Sequence, residues 1–155
     1  MPAWFDIYDI SETGPIDKPG IEDSISNIQG IIDEELAKGV KPENIILAGF
    51  SQGGTIALHA GLRYPKKLGG IIALSTYMPL ANELKDLRTE SNASTPVFIA
   101  HGLDDSLVPL RYGKQAAKLL QEWGNPVTWH QYPMFHSVCN EEVEDISKWL
   151  QACWN

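Results

Sequence analysis

The sequence predicts an α/β fold in which a parallel sheet carries helices on both faces, a three-layer α/β/α sandwich. Three observations predict it. Four short apolar runs have the length and flanking turn residues of buried strands. Segments of helical periodicity precede, separate and follow these runs, so strand and helix alternate along the chain. The 155 residues, without an internal repeat or low-complexity stretch, fit one ordinary domain, which buries about 68–70% of its unfolded surface.

Each element has its own signal. Residues 11–20, SETGPIDKPG, hold two prolines and two glycines and read as a loop. Ile21, Ile25, Ile28, Ile32 and Leu36 then recur at helical spacing, with Gly39 as the C-terminal stop. Asn44 to Ala48 reads as the first buried strand, and Ser51 to about Arg63 as a helix ending before Pro65. Gly70 to Leu74 is the second strand, and Pro96 to Ala100 the third. The segment between 76 and 95 is polar and reads as irregular. Leu110 to Trp123 places Ala116, Leu119, Leu120 and Trp123 on one side and meets Gly124, so it is a helix. Val127 to Tyr132 is the fourth strand. Glu141 to Leu150 is the last helix, capped by Asn140, with Glu141 and Glu142 suiting its dipole.

Composition excludes several classes of function. A net charge of -8 argues against non-specific binding to nucleic acid or to an acidic membrane. No apolar run approaches the roughly 20 residues a membrane span needs. The N-terminal MPAWFDIYD has neither a basic region nor a long apolar one, so no signal peptide is read and the cytoplasm is the expected compartment. Cys139 and Cys153 have neither metal-motif spacing nor a disulfide-framework count.

Parallel sheets of this kind build their sites beyond the carboxyl ends of the strands. One such end reads Gly49-Phe50-Ser51-Gln52-Gly53-Gly54, a serine between glycines where a buried strand meets a helix. Gly-x-Ser-x-Gly in that position has the form of a nucleophile elbow. The sharp turn holds the serine in a strained backbone conformation, and small neighbours are needed where strand and helix backbones nearly touch. The Gln52 N–H, at a helix N-terminus, is placed to bind an oxyanion. The alternative is a glycine-rich turn that only packs strand on helix, and the pattern alone arises by chance in roughly one chain in twenty of this length.

A serine hydroxyl needs a base. His59 lies inside the helix after the serine and reads as packing or surface; His130 lies inside the last strand and reads as structural. His101 ends the third strand. His136 lies in the loop after the last strand and best meets the requirement for a base that folds over the serine. The base needs an orienting carboxylate, and HGLDDSLVP offers Asp104 and Asp105. Either gives the order Ser, Asp, His expected with this elbow, and the spacing does not choose between them. Cys139, three residues beyond His136, reads as an inert thiol rather than a rival nucleophile.

Five segments, PAWFD, GFSQGG, ALSTYMPL, HGLDDSLVP and YPMFHSVC, together resemble the acyl-protein thioesterase/carboxylesterase group of α/β-hydrolases, also called phospholipase/carboxylesterase. The resemblance covers nearly the whole chain and implies the α/β-hydrolase fold. Its register implies a catalytic triad of Ser51, Asp105 and His136, with the Gln52 N–H as oxyanion donor. His101 falls on a strand-end histidine that is not the base. Trp4, Tyr77, Met78 and Leu107 fall where the family lines its acyl groove. No metal or organic cofactor is implied. The substrate would be a small molecule or an acylated protein carrying an ester or thioester with an apolar acyl group.

The family also has upstream strands and a His-Gly loop that supplies a second oxyanion N–H, and neither has a counterpart in these 155 residues. The expectation is therefore an N-terminally truncated α/β-hydrolase, one domain over 1–155, with an open sheet edge beside Asn44 to Ala48. A fragment of a longer enzyme, a short product that pairs its edge with another chain, and a degenerate relative that binds without catalysis all fit. The expected function is a serine hydrolase acting through an acyl-enzyme. The alternative is a non-catalytic or weakly active binding or assembly protein, and the open edge offers a route to self-association.

Overall fold

The computed structural model describes residues 3–7 and 14–155. The predicted loop over 11–20 therefore lies partly outside the described residues, and its last three residues are already helical. Helix α1 spans Lys18–Ala37 because Pro19 occupies the first turn, where no N–H is needed, and the Asp17 side chain accepts the Gly20 N–H at 3.0 Å. It ends as expected at Gly39, whose φ of 93° lets Val40 N–H return to the Glu35 carbonyl at 3.1 Å.

Strand β1 is Ile46–Phe50, two residues later than the sequence suggests. Pro42–Asn44 winds into a 3₁₀ turn, closed by Ile45 N–H on the Pro42 carbonyl at 3.0 Å, and uses up the start of the predicted strand. Helix α2 is Gln52–Leu62 and strand β2 is Gly70–Leu74. The stretch predicted as irregular holds helix α3, Ala81–Leu87, and a 3₁₀ turn at Glu90–Asn92. Only Leu84 of α3 is buried, so the helix has no apolar periodicity to reveal it.

Strand β3 is Val97–Gly102, helix α4 Leu110–Glu122, strand β4 Val127–Tyr132 and helix α5 Asn140–Trp154. Asn140 is not the cap of α5 but its first residue; Cys139 occupies the cap position, with no side-chain capping bond.

The sheet is parallel, in the order β1-β2-β3-β4. Its two faces separate cleanly by strand alternation. Ile71, Ala73, Val97 and Ile99 pack against Leu58 and Leu62 of α2 and Ala117 and Leu120 of α4. Ile72, Phe98 and Ala100 pack against Ile146, Trp149 and Leu150 of α5. Helix α1 lies beside α2, where Ile21 and Ile25 meet Ile56 and Ala60, and its Ile28 and Ile32 share a cluster with Leu47 of β1.

Among the described residues β1 pairs with β2 alone. Its second edge borders a cavity of about 270 Å³ lined by Trp4, Ile28, Leu47, Phe50, Gly53 and Ile56 among others. Among the described residues no helix is long and apolar enough to cross a membrane. The register pairs Phe50 with Leu74, Leu74 with Ala100, and Gly102 with Tyr132. The loops carrying Ser51, Asp105 and His136 thus leave the same end of the sheet.

Candidate active site

Ser51 joins β1 to α2 with φ 55° and ψ −122°, a conformation an L-residue adopts only under constraint. The constraints are visible. Ser51 N–H donates to the Leu74 carbonyl at 2.8 Å, extending the β1–β2 pairing one residue beyond the strand. The Thr76 hydroxyl donates to the Ser51 carbonyl at 2.6 Å. The Gln52 side-chain amide donates to the Phe5 carbonyl at 2.7 Å, and the Ser24 hydroxyl donates to the neighbouring Trp4 carbonyl. The Gln52 N–H stands in the first turn of α2, where helix donors have no intrahelical acceptor.

The glycines of the motif are not equivalent. A Cβ on Gly49 would overlap the Gly53 carbonyl, and one on Gly54 would lie 2.7 Å from Thr76 Cβ. A Cβ on Gly53 meets only Trp4 Nε1 at 3.6 Å, an ordinary contact. Close packing of strand on helix therefore demands Gly49 and Gly54, while Gly53 is free of that demand.

Of the two aspartates, Asp105 is buried and Asp104 is exposed. Asp105 Oδ1 accepts Leu107 N–H at 3.0 Å and Val108 N–H at 2.8 Å; Oδ2 lies 2.7 Å from His136 Nδ1. The carboxylate is an acceptor only, so His136 Nδ1 carries the proton and Nε2 is left as the basic nitrogen. The His136 ring packs on Phe50, the residue before Ser51, with centroids 4.6 Å apart. Among the described residues no hydrogen bond joins the Ser51 hydroxyl to His136, a looseness common before substrate binds.

The other histidines make their contacts away from the Ser51 turn. His59 is buried in α2 with Nε2–H donating to the Pro79 carbonyl at 2.8 Å, and burial pushes its pKa down to about 4. His130 stacks between Phe98 and Tyr132, 3.5 Å from Asp145. His101 is the last residue but one of β3, fully buried, with Nε2 2.7 Å from the Val108 carbonyl. Cys139 is a free thiol packed against the α5 side of the sheet.

The four expected acyl contacts are not gathered. Trp4 lines the cavity beside β1, and Leu107 is 65% exposed on the loop after β3. Tyr77 is buried in the α1–α2 core, with its hydroxyl pushed up to about 12 by burial. Met78 packs against the α2–α4 core. Sequence reasoning missed Thr76: its contact with Ser51 depends on the β1–β2 register, which no local pattern shows. Among the described residues no group of His, Cys, Asp and Glu is placed to hold a metal ion.

The phospholipase/carboxylesterase family matches residues 1–154. The chain is 39% identical over 161 residues to acyl-protein thioesterase 1 of Gibberella zeae, covering 97% of this chain and 68% of that protein. It is 37% identical to a probable carboxylesterase SOBER1-like of Arabidopsis thaliana, again over 97% of this chain but 59% of the relative. The crystal structure of Arabidopsis thaliana SOBER1 superimposes with a TM-score of 0.92 at 33% identity, covering 99% of this chain and 74% of that one. The chain thus spans about three-fifths of the length of the carboxylesterase relative and about two-thirds of that of the thioesterase.

Proposed function

The chain belongs to the phospholipase/carboxylesterase family of α/β-hydrolases, and from that membership we propose that it is a serine hydrolase of carboxylic esters or thioesters with an apolar acyl group. One observation carries the proposal: the buried Asp105 carboxylate holds His136 at 2.7 Å, at the sheet end where Ser51 is strained at the N-terminus of α2.

The chemistry follows from those three side chains. Ser51 Oγ attacks the acyl carbonyl as His136 Nε2 takes its proton. Asp105 keeps His136 in the productive tautomer and stabilises the imidazolium. The oxyanion of the tetrahedral intermediate meets the Gln52 N–H and the positive end of α2. Collapse expels the alcohol or thiol, which leaves with the proton from His136. Water, deprotonated by His136, then attacks the acyl-enzyme; the carboxylic acid departs and Ser51 regains its proton. Trp4 and Leu107 offer apolar surface to the acyl chain, whereas Tyr77 and Met78 support the site from within the core. Thioesterase relatives favour an acylated protein or a small thioester as substrate.

The test is covalent labelling with a fluorophosphonate. The adduct is expected on Ser51 by mass spectrometry and absent from Ser51→Ala. Labelling of another serine, or none, would refute the proposal. A second reading, a binding or assembly protein of weak or no activity, is favoured by the edge of β1 that leads to Ser51, since among the described residues this strand pairs with β2 alone. That reading predicts no label at Ser51 and association of copies through β1.

A further inference from the structure

Two imidazoles approach the same oxygen of Asp105. His136 Nδ1 is 2.7 Å from Oδ2, and His101 Nε2 is 3.6 Å from it. The His101 and Asp105 side chains are both fully buried. A second positive ring there would compete with His136 for the carboxylate.

The surroundings of His101 decide its state. Its Nε2 lies 2.7 Å from the Val108 carbonyl, which only accepts, so Nε2 carries the proton. Its Nδ1 is buried, has no hydrogen-bond partner among the described residues, and faces Gly113 of α4, where a Cβ would overlap it. A proton added at Nδ1 would meet no acceptor. Burial holds the ring's pKa below the ordinary histidine value; the Val108 carbonyl and Asp105 pull it up, and His136 adds to the lowering. Asp105 and His136 are the titratable groups that act on it.

The same bond organises the turn. The Val108 carbonyl accepts from His101 while the Val108 N–H donates to Asp105 Oδ1 at 2.8 Å, beside the Leu107 N–H at 3.0 Å. Two donors occupy Oδ1, which leaves Oδ2 for His136. The strand therefore fixes the turn through His101, and the turn fixes the rotation of the carboxylate.

We infer that His101 is a positioning residue for the Asp105–His136 pair: its neutral ring clamps the 105–108 turn so that Oδ2 faces His136, and it withholds a competing charge. Its kinetic consequence rests on the hydrolase reading; its structural consequence does not.

The experiment reads the proton in the His136 Nδ1···Asp105 Oδ2 bond by NMR at low field, on the free protein. His101→Leu should move that resonance upfield or broaden it away. His101→Gln, whose amide reaches toward the Val108 carbonyl, should restore it. Gly113→Ala is the second variant. Alanine suits helix α4 better than glycine, yet its methyl at this position drives into Nδ1 and should disturb the resonance with the fold intact by circular dichroism. In ester turnover, His101→Leu and Gly113→Ala should lower kcat on the order of 10²-fold with KM little changed, the cost of misplacing a reacting group by about 1 Å. A resonance unchanged in a folded variant that loses or displaces the ring, or absent from the wild type, would overturn the inference. A normal resonance and the expected variant shifts without any turnover would overturn the hydrolase reading and leave the positioning role standing.

Discussion

Replacing Glu142 with glutamine should remove a pH dependence from the stability of the fold. Glu142 lies in the first turn of α5, six residues after His136, and is fully buried. Among the described residues neither of its oxygens finds a hydrogen bond of good geometry. Burial pushes its carboxyl up from the ordinary 4.5 to about 7, against a smaller pull from the Cys139 backbone N–H. A carboxyl whose pKa is raised on folding binds its proton more tightly in the folded chain. Below pH 4.5 both states are protonated and nothing is lost. Between 4.5 and about 7 the unfolded chain ionises first, so stability falls; above 7 the loss is constant. At about 1.36 kcal/mol per pH unit, the rise from 4.5 to about 7 amounts to a loss of about 3 kcal/mol. Glutamine keeps the shape and cannot ionise. Urea denaturation at pH 4.5 and pH 8 measures the effect as the stability of Glu142→Gln minus that of the wild type. The difference should move in favour of the variant by about 3 kcal/mol between the two pH values. A difference that stays constant, or moves toward the wild type, would refute the account of Glu142 as a buried neutral acid.

Three further outcomes are expected. Asp105→Asn should lower ester turnover by about 10⁴-fold through loss of the orienting carboxylate, while Asp104→Asn, at an exposed side chain, should change it little; steady-state assays of both variants decide. Gly49→Ala should lower the melting temperature sharply because its Cβ overlaps backbone that cannot rotate away, whereas Gly53→Ala should leave it unchanged or raise it slightly, as alanine does inside a helix. Ala48→Lys, which places a charge at an exposed position of β1, a strand that among the described residues pairs with β2 alone, should shift any self-association toward monomer in sedimentation velocity.

The strands were legible where their ends carry punctuation. Gly69-Gly70 and Asn125-Pro126 bound β2 and β4, and both strands begin where composition places them. Strand β1 starts late because Pro42–Asn44 closes as a 3₁₀ turn and Ile45, as apolar as the strand after it, gives its N–H to the Pro42 carbonyl. Strand β3 runs two residues further than its apolar run, since His101 and Gly102 still pair with Gln131 and Tyr132; a buried histidine reads as a strand end only when its acceptor, the Val108 carbonyl, is unseen. Helix α3 is held by its surroundings rather than by its own pattern. Arg88, just past its end, donates to the Trp123 carbonyl at 2.8 Å, and buried Asn92 bonds Leu68 N–H at 2.9 Å and the Tyr64 and Lys66 carbonyls at 2.7 and 2.9 Å. Such long-range polar bonds leave no trace in local periodicity.

The site divides along the same physical line. Ser51 was legible because a strained strand-to-helix turn demands small residues at fixed offsets, and a local steric demand writes itself into local sequence. Even there the written motif and the demand differ: Gly54, outside Gly-x-Ser-x-Gly, is the glycine that Thr76 forbids to change, and Gly53, inside it, touches only the edge of Trp4. The choice between Asp104 and Asp105 was not legible from spacing, because adjacent residues on one turn differ in what surrounds them and not in what they are. Burial separates them: the Asp105 side chain is closed off by His101 beneath and His136 above, while Asp104 contributes its backbone N–H to the Met134 carbonyl at 3.1 Å and leaves its side chain in water. Thr76 and His101 belong to the same category. Thr76 meets the Ser51 carbonyl through the β1–β2 register, and His101 meets the Val108 carbonyl where the loop after β3 folds back on the strand. Residues that hold reacting groups in place are therefore the part of such a site that a single sequence conceals, since the contact that gives them their role spans 25 residues for Thr76 and 7 for His101 and carries no periodicity of its own.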